Sequence, residues 1–364
     1  MNACGDMKKR PLNCKIFARS LSRHLSQIYT GYAMLARQGL LDVKQVCGPG
    51  TERMAKCGND EMNGHGLYVQ LEGGRLIYYD MKDSSRLDDS ALNSADAYYK
   101  RSYKIEAIPD SHSNKVFPFG LYYEVYCDGF DKNELIRVFK LAKSKESFIT
   151  RIAQIVTKSA NMPFHFVPYV SMMHSKPLHG QEPGVLFMVR AWDPDCDPMR
   201  PTTKEEKEDR LRINNMRADC IRLLKKEFGP RFYGGFIRTE FAAKHYPELL
   251  LESGTVSSKG NYMSLVRRNP ICIATTGLYG SIGAKMGEYV AFSRAIISEK
   301  LNYAVPGDFS PDKNYLEFET AEQCRGLVGS LFEDARMRQA MMDDNWRYYE
   351  THLRPDKLVL KTLS

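Results

Sequence analysis

The sequence predicts an α/β fold in two domains, and three observations carry that expectation. Strand-sized apolar runs, such as Val185–Val189 and Ile271–Ala274, alternate with stretches whose apolar residues recur at helical spacing. Near the middle of the chain, Ser175-Lys-Pro-Leu-His-Gly-Gln-Glu-Pro-Gly184 carries two prolines and two glycines, the composition of a linker. The third is length: 364 residues, at roughly 150 per domain, make about two domains.

The elements follow in order. Cys14–Ala18 reads as a first strand, and a polar loop from Arg19 to Ser26 leads to a helix. There Ile28, Tyr32, Leu35 and Ala36 share one face, and Gly39 supplies the stop. Residues 66–71 and 75–79 read as two strands joined through Gly73-Gly74. Ala95–Tyr99 and Lys115–Pro118 are further short strands, with a short helix over 86–94. Alternating strands and helices favour a parallel sheet over a sandwich.

From Lys132 to Ser159, Leu135, Val138, Phe139, Ile149, Ile152, Ile155 and Val156 form amphipathic helical stripes. Beyond the linker, Val185–Val189 begins the second α/β unit. A long charged helix covers 203–228, with Ile213, Met216, Cys220, Leu223 and Leu224 inward and its charges read as a solvated face. Ile271–Ala274 leads through a glycine-rich loop to a helix over 284–292 and a strand at 295–297. The C-terminal region reads as helical from Ala321 to about Glu350. The domain limits expected are 1–180, 181–345 and a segment 346–364 that packs back on the first domain, because Leu358-Val-Leu360 is apolar and needs cover.

Composition excludes several classes. With 43% hydrophobic and 26% charged residues, the chain is neither collagen-like, coiled-coil nor wholly disordered. Lys plus Arg number 52 against 44 Asp plus Glu, a net charge of +8. That excess suits a phosphate-bearing partner or a peripheral contact with an anionic membrane surface. The basic residues are interleaved with acids, which argues against nucleic acid. Nine cysteines, none in a C-x-x-C pair, fit reduced thiols in the cytoplasm. No apolar run approaches the ~20 residues that span a bilayer.

The most informative stretch is Gly277-Leu-Tyr-Gly-Ser-Ile-Gly-Ala-Lys285-Met-Gly-Glu288, a glycine-rich loop between a buried strand and a helix. Exposed N–H groups at such a helix start suit a diphosphate. Lys285 can neutralise phosphate oxygens, and Glu288, three residues on, can accept from two vicinal ribose hydroxyls. The bland alternative is a turn followed by a surface ion pair between those two residues.

The run K-x-x-E-Y-x-A-F-S-x-A-I after this loop resembles the donor-binding segment of GT-B glycosyltransferases. Gln27–Gly31, Tyr98–Ser102, Phe117–Leu121, Phe187–Pro194, Phe232–Gly235 and Asn314–Phe318 resemble bacterial polysaccharide-cluster members of that class. The resemblance implies two Rossmann-like domains facing a cleft, with a nucleotide-sugar donor held mainly by the C-terminal one. It implies a donor site of Thr276, Gly277, Gly280, Ser281, Ile282, Lys285 and Glu288, joined by Arg190, a residue type suited to bidentate phosphate binding. The acceptor would be a hydroxyl of a glycan or small molecule. No cofactor or metal is expected, because fixed cations and helix N–H groups can stabilise a departing diphosphate. Asp193, Asp195 and Asp197 have D-x-D spacing but lie beside proline in a surface loop. Eight positions before Glu288, where retaining members carry Glu, stands Gly280, which leaves inversion or retention open.

For the base that takes the acceptor proton, the candidates are Asp83, Asp80 and His24, each on a loop near a strand end. Lys100-Arg101 reads as an exposed basic pair. His165, His174 and His179 lack neighbouring ligands at metal spacing, and the paired tyrosines read as packing residues. Two alternatives remain: a nucleotide-sugar epimerase of the same architecture, or a non-enzymatic binding protein.

Overall fold

The computed structural model describes residues 10–47, 65–142, 144–159, 167–196, 201–251 and 259–364. His165 and Asp197 lie outside that set. The chain forms two compact units. The first holds Met1–Gly120, Glu124–Val170 and Arg354–Ser364; the second holds Leu121–Tyr123 and Ser171–Leu353.

In the first unit the elements are β1 (Leu12–Ala18), α1 (Ser26–Arg37), β2 (Leu41–Cys47), β3 (Gly66–Leu71) and β4 (Leu76–Asp80). Then come α2 (Asp89–Ser94), β5 (Ala97–Lys100), β6 (Val116–Pro118), α3 (Lys132–Leu141) and α4 (Lys145–Ser159). The strands form one sheet in the order β2-β1-β3-β4-β5-β6. Its pairings are parallel except where β3 meets β1 and β4, so the sheet is mixed rather than all-parallel. The cause is local. The tight Glu72–Gly74 connection, with Gly73 at φ 84° and Gly74 at φ 90°, makes a hairpin, and hairpins join antiparallel strands. The consequence matters for the site: the amino end of β3 lies at the same sheet edge as the carboxyl ends of β1, β4 and β5.

Phe17, Tyr68, Leu76, Tyr78, Leu92, Tyr98 and Val116 pack one face of this sheet. The tyrosine pairs are indeed core residues; Tyr79 and Tyr123 are fully buried. The last helix of the chain, Pro355–Leu360, belongs to this unit and lies against α1. Gly31 makes that approach possible, since a Cβ there would collide with the Pro355 carbonyl. Thr362 bonds the Tyr79 hydroxyl at 2.5 Å, and Leu358 and Val359 are buried, while Leu360 stays exposed.

The second unit contains β7 (Val185–Val189), α5 (Lys204–Phe228), β8 (Phe232–Phe236), α6 (Glu240–His245), α7 (Lys259–Arg268) and β9 (Ile271–Ala274). It continues with α8 (Ala284–Ala291), β10 (Ala295–Glu299), β11 (Leu316–Phe318), α9 (Ala321–Glu333) and α10 (Ala335–Tyr348). The expected unbroken C-terminal helix is therefore divided at Asp334, whose carboxylate caps the N-terminus of α10, and Tyr349–Leu353 follows as a π turn. Pro355–Leu360 is α11.

All pairings in this sheet are parallel, in the order β8-β7-β9-β10-β11. In unit numbering that is 2-1-3-4-5, a doubly wound α/β topology. Strands covered on both faces read as continuous apolar runs, which is why β7 and β9 are fully buried. The strand order reverses between β7 and β9, and open α/β sheets bind ligands outside the carboxyl ends at that switch point. The residues there are Arg190–Asp193 after β7 and Thr275–Gly283 after β9.

Candidate functional site

Three polar side chains on one face of α5 shape the switch point. The helix starts in a capping box formed by Thr203 and Glu206, and turns Arg210, Asn214 and Arg217 inward at i, i+4 and i+7. All three are buried, so the expectation of a solvated polar face is wrong for these positions. Asn214 accepts from the Trp192 N–H at 2.8 Å and donates to the Trp192 carbonyl at 2.7 Å. Arg210 donates to the carbonyls of Asp193 and Cys196. Arg217 spans the two loops, donating to the Arg190 carbonyl at 2.7 Å, the Thr276 carbonyl at 3.0 Å and Thr275 Oγ1 at 3.0 Å. Burial pulls its pKa down to about 10, against the pull of Glu299.

Glu299, at the end of β10, closes the loop from the other side. Its carboxylate accepts from the Thr276 N–H at 2.7 Å and Thr276 Oγ1 at 3.0 Å. The turn itself folds on Gly277, whose N–H donates to the Ser281 carbonyl at 2.8 Å. Gly280 sits at φ 64°, a conformation glycine adopts without a Cβ penalty. Ser281 and Thr276 are buried and Ile282 is half-buried. Gly283 is the N-cap of α8, and no side chain caps that end. The positive end of the helix therefore presents N–H groups beside the loop, the arrangement that receives anions.

Lys285 and Glu288 lie on this helix but do not pair with each other. The Glu288 carboxylate is buried and bonded by Lys259 of α7, a partner the sequence did not reveal. Lys285 points its ammonium to 4.0 Å from the centre of the Tyr262 ring, a cation–π contact. Burial lowers its pKa to about 8, Glu288 opposing the shift and Lys259 adding to it. Gly287 lets the helix seat against Leu121–Tyr123, because a Cβ there would stand 2.5 Å from the Tyr122 carbonyl oxygen. Arg190 is exposed, with its guanidinium 6.0 Å from the Trp192 ring. Asp195, five residues further along the chain, pairs with Lys207. The loop that carries Arg190 and the loop that leads into α8 leave the same end of the parallel sheet, and Arg217 joins them.

The first unit gathers a second set of groups at its own strand edge. His24 follows β1, His65 precedes β3, Asp80 and Asp83 follow or end β4, and Arg101 follows β5. The His24 and His65 rings stack at 4.2 Å. Burial, with the neighbouring His65 and Arg101 charges, pushes His24 down to about 4, and Asp83 pulls the other way. Burial lowers His65 as well. Asp83 is half exposed and pairs with Arg101 at 2.7 Å.

Asp80 is different. It is fully buried, and its oxygens accept from Tyr98 at 2.5 Å, Lys100 at 3.1 Å and the Lys82 N–H at 2.9 Å. Both oxygens are engaged and neither reaches solvent, so the geometry makes Asp80 a structural group. Lys100 and Arg101 are buried too, contrary to the exposed pair expected from the sequence. His174 stacks on Trp346 and Tyr349, and His179 pairs with Asp343. Neither belongs to either cluster.

No protein-family model matches the chain, and no curated protein matches it. Solved structures do. The C-terminal domain of a glycosyl transferase group 1 family protein, LpcC, from Francisella tularensis is 16% identical. That match covers 50% of this chain and 96% of that one, with a TM-score of 0.33. Anabaena Alr3699/HepE in complex with UDP is 9% identical over 95% of this chain and 97% of that one, at a TM-score of 0.45. The pneumococcal O-GlcNAc transferase GtfA in complex with UDP and GlcNAc is 11% identical, covering 77% and 54%, at 0.34.

Proposed function

We propose that the chain is a glycosyltransferase. It would move a sugar from a nucleoside-diphosphate donor, bound at the switch point of the second unit, to a hydroxyl of a glycan or small-molecule acceptor. The observation that carries this reading is the uncapped start of α8, with Lys285 on its first turn and a buried, Lys259-held Glu288 one turn on.

In the reaction, the bond from the anomeric carbon to the diphosphate oxygen breaks and a bond to the acceptor oxygen forms. The diphosphate leaves with added negative charge. Lys285, Arg190 and the helix N–H groups would stabilise it, which is charge stabilisation aimed at the transition state. Glu288, held in place by Lys259, would accept hydrogen bonds from the ribose. The acceptor proton passes to a general base as the new bond forms, and His24 and Asp83 are the candidates for that role.

Two expected outcomes test this reading. A radiolabelled nucleotide-sugar panel with candidate glycan acceptors should give acceptor-dependent transfer that EDTA leaves intact. Loss of transfer in EDTA, restored by a divalent cation, would contradict the metal-independent assignment. The second outcome concerns pH. The free protein should release the Lys285 proton near pH 8, so kcat/KM should fall as pH rises above that value. Lys285→Arg should remove the break, because a guanidinium stays charged. Stability runs the other way: the unfolded lysine keeps its proton to about 10.4. Between the two values the unfolded chain binds more protons, so this residue makes folding more favourable as pH rises.

A further inference from the structure

Beyond the donor and acceptor chemistry, the helix pair α3 and α4 of the first unit carries an unusual surface. Among the described residues, Phe130, Ile136, Phe139, Ile149 and Val156 are exposed large hydrophobic side chains, with exposures of 40% or more. All fall within one stretch of the chain. On α3, Ile136 and Phe139 share a face with Lys132 and Lys140, and on α4, Ile149 and Val156 share one with Lys145, each set at helical spacing. Phe139 and Phe148 meet ring to ring at 5.1 Å, which joins the two faces. Lys132, Lys140 and Lys145 are themselves exposed, and Glu146 is the one acid exposed beside them on these helices.

Single exposed apolar residues are ordinary; a cluster of them rimmed by charge of one sign marks an interaction surface. Apolar side chains flanked by lysines on an exposed helical face match a membrane–water interface, where the chains enter the headgroup region and the ammonium groups meet lipid phosphates. The geometry points to α3 and α4 as a docking face for an anionic lipid bilayer. Charge complementarity selects that occupant: the patch combines apolar reach with a local positive excess, in a chain of net charge +8. The inference stands apart from glycosyl transfer, since it uses none of the residues assigned to that reaction.

Sedimentation of the full chain with mixed phosphatidylglycerol–phosphatidylcholine vesicles tests it. The protein should pellet with these vesicles, stay in solution with phosphatidylcholine alone, and be released by high salt. The Phe139→Ser/Ile149→Ser and Lys132→Glu/Lys140→Glu variants should each lose at least about tenfold in partitioning. The positions are exposed, so melting curves should match the parent and transfer activity in solution should be unchanged. Failure of the parent protein to pellet with anionic vesicles, or equal pelleting of either variant, would overturn the proposal. So would a parent dimer in sedimentation velocity that Phe139→Ser/Ile149→Ser converts to monomer without any lipid binding; the face would then be an interface between copies.

Discussion

Asp80→Ala is expected to destabilise the first unit by about 3–5 kcal/mol, the cost of stranding one member of a buried ion pair. Lys100 is 1% exposed and lies 3.1 Å from Asp80. Without the carboxylate its ammonium would be buried against hydrogen-bond donors and the Lys82 carbonyl alone. The Tyr98 hydroxyl would lose its acceptor as well. For a unit of this size the melting temperature should fall by roughly 10 °C. Adding Lys100→Met should recover a large part of that loss, because residues in one network are strongly non-additive. Were Asp80 the catalytic base, the single variant would instead melt like the parent and lose turnover. The buried geometry predicts a stability defect.

Lys285→Ala should slow transfer by about 10²–10³-fold, or about 2.7–4 kcal/mol of transition-state stabilisation. The ammonium sits on the first turn of α8, beside N–H groups that no side chain caps. Charge on the leaving diphosphate grows as its bond to the sugar breaks, so the loss should fall mainly on kcat rather than on ground-state binding. A merely structural lysine, resting on Tyr262, would show a small stability change and unaltered kinetics. Measuring kcat/KM beside the melting temperature separates the two.

Much of the second unit was legible in the sequence for a physical reason. Strands β7, β9 and β10 are covered on both faces, so they appear as uninterrupted apolar runs, and Thr203, Gly283 and the glycine-rich loop mark helix starts. β8 was harder, because Gly234-Gly235 resembles a turn. The glycines are there because backbone approaches closely: a Cβ on Gly234 would meet the Phe187 carbonyl, and one on Gly235 the Leu249 carbonyl. β2 alternates with polar residues at a sheet edge and follows directly on a helix stop, which hides it.

The site was legible in part. Glycines and charges on α8 stand together in sequence, whereas their supports come from elsewhere. Arg217, Asn214 and Arg210 looked like solvated polar residues because their partners are backbone carbonyls of distant loops, which leave no trace in a residue pattern. A spacing of 210, 214 and 217, beside the apolar stripe of the same helix, was the one available signal. Lys259 and Glu299 reach the site across other elements, and His65 meets His24 through strand pairing. Such contacts depend on topology, and local spacing cannot encode them.

The most direct test of nucleotide binding at the switch point is isothermal titration of UDP, GDP, dTDP, CMP and ADP into the parent protein and into Glu288→Gln. One nucleoside diphosphate should bind the parent, and its affinity should fall at least about tenfold in the variant, since a charged hydrogen bond is worth about 1.5–3 kcal/mol. The variant should still fold, with Lys259 bonding the amide oxygen. Equal affinity in the two proteins, or no binding of any of the five to the parent, would contradict a donor site at the start of α8.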